Sequence, residues 1–117
     1  MKTLTIVIQE APYRPGNRAW NAVRFAGAAL AEDMEVRLHL LEESVSLARP
    51  GLEAPEGTDD VQALLVELME CGLRVRACGR ALDTLGIGDA DLLAGVERGS
   101  MKALAAWVKD SDHVMVF

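Results

Sequence analysis

The chain has 117 residues, half of them hydrophobic, which is one domain's worth with enough apolar side chains for a sizeable core; a disordered chain is excluded. Its formal net charge of −6 argues against a nucleic-acid partner and equally against an anionic membrane surface. No stretch is long enough to span a bilayer, and the run Leu4–Ile8 stops at Gln9 and Glu10, too short for a secretory core, so a cytoplasmic protein is expected.

Thr3–Gln9 is β-branched and apolar and predicts a buried strand. Glu10–Gly16 carries two prolines and a glycine and reads as a loop. Asn17 is placed to cap a helix over Arg18–Glu32, with Trp20, Val23, Ala26, Gly27 and Leu30 on its apolar face. A second strand runs over Glu35–Leu41. The connection Glu42–Thr58 contains Pro50, Gly51, Pro55 and Gly57, with a short helical turn around Val45, Leu47 and Ala48. Thr58 or Asp59 caps a helix through Glu70, whose inner face is Val61, Leu64, Leu65 and Leu68; Cys71-Gly72 stops it.

Leu73–Cys78 alternates like a third strand, and Gly79–Gly86 follows at once as a short helix. Gly88–Asp91 breaks the chain, and Leu92–Val96 reads equally as strand or loop. Gly99-Ser100 opens a helix through Lys109 with Met101, Leu104, Ala105 and Val108 inward, and Val114–Phe117 is the last strand. Alternating strands and helices predict one α/β domain over residues 1–117: a three-layer sandwich on a mainly parallel sheet of about five strands. In such sheets ligands gather beyond the carboxyl ends of the strands.

Cys78 lies at such an end and heads a helix. Unpaired N–H groups and the positive end of the helix dipole favour a thiolate there, and Arg76 and Arg80 flank it. Cys71, at a helix C-terminus, reads as a structural thiol. The strand between them separates the two by roughly 20 Å at about 3.3 Å per residue, whereas a disulfide needs Cα atoms within about 7 Å. Two free thiols in a reducing compartment are expected.

Other constellations are weaker. His39 falls inside the second strand and reads as a core or interface histidine; His113 starts the last strand, away from the carboxyl ends. Neither is a natural base for Cys78, and two Cys and two His lack zinc-site spacing. Gly86-Ile87-Gly88 and Gly95–Ser100 match no dinucleotide or phosphate-loop pattern, because a proline-rich loop follows the first strand. Glu42 and Glu43 form an acidic pair at a strand end.

Three stretches together resemble the DsrE/DsrF/TusD-like family of small sulfur-relay proteins. They are Val36–Val45, a strand leading into an acidic residue and valine turn; Leu68–Cys78, a helix, glycine, strand and cysteine; and Ala103–Phe117, a closing helix, an aspartate and an apolar strand. The resemblance covers the whole chain. It implies a flavodoxin-like domain that assembles as trimers or hexamers, and it matches Cys78 to the cysteine that carries persulfide sulfur in active members. The chain departs from the family at His39, where an aromatic is frequent, and at Glu43, where an aspartate is frequent.

The expected function is a cytoplasmic sulfur carrier. It takes sulfane sulfur on Cys78 from a donor protein and passes it to an acceptor thiol, with no metal or organic cofactor. Arg80 and the backbone N–H groups near Gly79 would stabilise the anion, and Asn17 and Glu43 would form the pocket rim. The rival expectation is an oligomeric ligand-binding or structural module without turnover.

Overall fold

A computed structural model describes residues 1–117. Five strands, β1 (Thr3–Ile8), β2 (Glu35–Leu40), β3 (Arg74–Cys78), β4 (Glu97–Gly99) and β5 (His113–Val116), form one sheet in the order β4-β3-β2-β1-β5. Every neighbouring pair is parallel. The helices are α1 (Arg18–Ala31), α2 (Val61–Glu70), α3 (Gly79–Thr84) and α4 (Met101–Lys109), with 3-10 turns over Glu42–Ala48 and Asp89–Asp91.

Right-handed crossovers put α1 and α2 side by side on one face. The β4-to-β5 connection runs back across the sheet, so α4 covers the other face. Strand alternation sorts the side chains accordingly. Leu4, Ile6, Ile8, Val36, Leu38, Leu40 and Val75 are buried under Ala19, Ala22, Val23 and Ala26 of α1 and Leu65 of α2. The small residues of α1 let the two helices approach closely: a Cβ on Gly27 would meet Leu68 at 3.3 Å.

The second face is different in kind. It carries Thr5, Arg37, His39 and Arg76, and α4 alone lies over it. Trp107 is the one buried residue of α4. The guanidinium carbons of Arg76, Arg74 and Arg37 lie 4.2, 5.6 and 5.8 Å from its ring centroid, a range in which cation–π attraction operates.

The predicted sandwich is present, and several local expectations are corrected. The cap of α2 is Asp60, not Thr58 or Asp59; its side chain accepts from Ala63 N at 3.0 Å. Asn17 sits at the N-cap position of α1 in the left-handed region, φ 51°, where its side chain makes no capping bond. Of the two alternatives for Leu92–Val96 the loop is present, and the strand comes after it as three residues. On α4, Met101, Ala105 and Val108 are exposed. Trp107 turns that helix over: the largest side chain claims the sheet, and the helical period carries Met101 and Val108 outward.

Candidate functional site

β3 ends where α3 begins, and Cys78 belongs to both. Its backbone, φ −57° and ψ 119°, leaves the strand and enters the helix with no spacer residue. Alternation along β3 points Val75 and Ala77 at the α1–α2 core and Arg76 and Cys78 at the α4 side. The register pairs Cys78 with Gly99, the last residue of β4. Ser100 then caps α4, accepting from Ala103 N at 3.1 Å.

These junctions enclose a cleft of about 770 Å³. Its wall comprises Cys78; Arg80, Ala81, Thr84 and Leu85 from the α3 segment; Glu42 and Glu43 after β2; and Gly99, Ser100 and Met101. Cys78 is 8% exposed, so its sulfur is held in the wall rather than on an open surface. Of the basic side chains in the wall, Arg80 alone is present, and it belongs to none of the ion pairs of the fold. Glu43 is paired with Arg14 of the β1–α1 loop at 3.2 Å, an exposed pair that ties that loop to the rim.

Behind Gly99 and Ser100 lies His39, fully buried. Its ring crosses β3 from β2: Nε2 lies 2.7 Å, and the Arg76 Cβ 3.2 Å, from where a Gly99 side chain would begin. Trp107 meets the ring edge-on, with centroids 6.1 Å apart. Neither ring nitrogen has a hydrogen-bond partner. Burial pushes the His39 pKa down to about 4 and the Arg76 charge adds to this, while the Ser100 backbone partly opposes them.

Of the residues singled out in the sequence, Cys78, Arg80 and Glu43 come together here. Gly79 does not reach the cleft: it is buried, and the Arg98 guanidinium occupies the space beside it, with Nε 2.7 Å from where a Cβ would stand. Arg98 donates to Gly79 O at 3.0 Å and to Asp83 at 2.7 Å, locking β4 to α3. Asn17 lines a separate cavity of about 410 Å³ with Tyr13, Trp20 and Asp59, because its own loop carries it there. Arg76 flanks Cys78 in sequence but stacks on Trp107 instead. Cys71 is exposed, so it is a surface thiol and not a packed one. Sequence reasoning missed Thr84, Leu85 and the β4–α4 junction; Gly99-Ser100, read there as a helix start and as the end of a glycine-bearing stretch that fits no phosphate loop, was the available signal.

No three His, Cys, Asp or Glu side chains group to hold a metal ion. No helix is long and apolar enough to cross a membrane.

The DsrE/DsrF-like family profile matches residues 2–117. The chain belongs to that family. An uncharacterised protein of Methanopyrus kandleri is 40% identical over 97% of this chain and 93% of its own length. Protein YchN of Escherichia coli is 30% identical over the full length of both. Among solved structures, the E. coli YchN crystal structure superposes with a TM-score of 0.89 at 29% identity, covering both chains completely. A protein of unknown function from Methanobacterium thermoautotrophicum shares the fold, with a TM-score of 0.78 at 17% identity over 98% of this chain and 99% of its own. The DsrE/DsrF-like chain thus has relatives that match it end to end.

Proposed function

We propose that this protein is a sulfur carrier that holds sulfane sulfur as a persulfide on Cys78. The observation that carries the reading is the placement of one thiol, alone of its kind, in the wall of a cleft at a strand's carboxyl end, with an unpaired arginine in the same wall. Family membership supports the same reading.

The chemistry is an exchange. The Cys78 thiolate attacks the outer sulfur of a donor persulfide; the Sγ–S bond forms, the donor's S–S bond breaks, and the electron pair leaves with the donor thiolate. An acceptor thiolate reverses the process. Arg80 supplies a positive charge to the anionic sulfur, and Glu42 and Glu43 on the rim bias which donor surfaces approach. The reading places the protein in a reducing compartment, where both thiols stay free.

Intact mass after exposure to a persulfide donor tests it. Wild type and Cys71→Ser should each gain one sulfur, about 32 Da, that a reductant removes, and Cys78→Ser should gain none. Wild type that stays folded and takes no sulfur from any donor returns the site to a ligand-binding role without turnover.

A further inference from the structure

We propose that His39 is a positioning residue of the Cys78 cleft, its uncharged imidazole donating the Nε2–H to the anionic sulfur on Cys78. For the bound persulfide the inference rests on the carrier reading; for the thiolate it stands without it.

Three observations carry it. The first is the pair of orphaned nitrogens. Buried polar atoms in folded proteins nearly always have a partner. His39 is fully buried, no partner completes a bond at either nitrogen, and the Ser100 backbone is the one polar group close enough to act on the ring. A group left in that state is poised for something that arrives.

The second is place. Cys78 and Gly99 are register partners, and both line the cleft. The His39 Nε2 lies 2.7 Å from the point where a side chain at 99 would begin. Glycine at 99 therefore leaves only backbone between Nε2 and the cleft. A second sulfur extends about 2 Å from Sγ, toward the unoccupied space of the cleft that Gly99 and Ser100 bound.

The third is protonation state. Burial and Arg76 keep the imidazole uncharged at neutral pH. The charged group that acts on it is Arg76 of β3; α4 contributes the Trp107 ring and, at its start, the Ser100 backbone. An imidazolium there would be buried and would face the Arg76 guanidinium, so His39 is no proton acceptor for the thiol. An uncharged imidazole still carries one N–H, and that N–H suits an anionic sulfur. During transfer the proton stays on His39: Sγ gains the sulfur, the donor thiolate leaves with the electron pair, and the hydrogen bond follows the negative charge to the outer sulfur.

The test uses the Cys71→Ser protein, in which Cys78 is the sole thiol. Two readouts are taken: the second-order rate of iodoacetamide alkylation at pH 7, and the lifetime of the Cys78 persulfide. His39→Phe keeps a ring and removes the donor; alkylation should slow about tenfold, as loss of one hydrogen bond to a charged group implies, and the persulfide should decay faster. His39→Gln restores an N–H and should return the rate to within about threefold of the parent, the difference one weaker hydrogen bond makes. Gly99→Ala brings a methyl to 2.7 Å from Nε2, which displaces the ring, and should act like His39→Phe even if that variant fails to fold. A folded His39→Phe that alkylates at the parent rate overturns the proposal, as does a folded His39→Gln as slow as His39→Phe. A His39 effect on alkylation in a protein that takes no sulfur sinks the carrier reading alone and leaves the donor role intact for the thiolate.

Discussion

At the scale of single residues, His39 has a second consequence. An exposed imidazole in the unfolded chain titrates near 6.5, and in the fold it titrates near 4. Between those values the unfolded chain binds a proton that the folded one does not. The contribution to stability is therefore fully present above about pH 6.5 and is lost as the pH falls toward 4. Urea unfolding at pH 7.5 and pH 4.5 should show the wild type losing about 2.5 kcal/mol more than His39→Gln, at about 1.4 kcal/mol for each pKa unit spanned. Equal losses in the two proteins would mean that His39 is protonated in the fold. Cys78 and Cys71 make the complementary point about residues. Both are free thiols, yet one is set in a cleft wall and the other faces solvent.

Elements are held by particular end residues. Asp60 satisfies the Ala63 N–H at the start of α2, and Asp60→Ala should cost about 1 kcal/mol in chemical denaturation. Asn17 holds the same position on α1 without a side-chain bond, and its backbone is left-handed. Asn17→Gly should therefore change stability by less than about 0.5 kcal/mol, since glycine adopts that conformation freely. The contrast between the two substitutions, measured together, separates capping from backbone conformation. A large loss in Asn17→Gly would show that the amide bonds something in solution. At the next junction, β4 has three residues and is held by Arg98 rather than by length: that side chain spans Gly79 O, Asp83 and Asp89. The cleft keeps its shape through this tie, because Gly99 and Ser100 follow Arg98 directly.

For the whole molecule the asymmetry of the two sheet faces matters most. Two helices seal one face, and one nine-residue helix covers the other. Val116 and Met101 are left 61% and 62% exposed, with Val108 and Val114 also open to solvent. Apolar groups on a thinly covered face suit contact with a second copy. We propose self-association through this face, as trimers or hexamers by the family resemblance. Trp107 is not its anchor, since it is buried under the arginines of its own chain, and Phe117 packs on Phe25 at 6.4 Å between ring centroids. Light scattering should show an oligomer at micromolar concentration, and Val116→Asp should shift it to smaller species while circular dichroism stays unchanged. A wild-type monomer would contradict the proposal.

Local pattern determined much of this. The β-branched run of β1 and the alternation of Val36, Leu38 and Leu40 in β2 made both strands legible, and the strand-to-helix change at Cys78-Gly79 showed in residue types alone, because alternation and helical period act between near neighbours. The thiol, Arg80 and Glu43 could therefore be grouped beyond the strand ends from the sequence, and in the fold they line one cleft. Tertiary structure decided what depends on distant partners. Arg98 fills the space at Gly79, Trp107 draws Arg76 away from the cysteine, and Gly99 admits the His39 ring across β3. Asn17 and Cys78 both lie toward the carboxyl ends of the strands, yet the β1–α1 loop carries Asn17 to a different cavity. A three-residue strand such as β4 carries too little pattern to read; its hydrogen bonds to β3 define it, and those form only when residues some twenty positions apart meet.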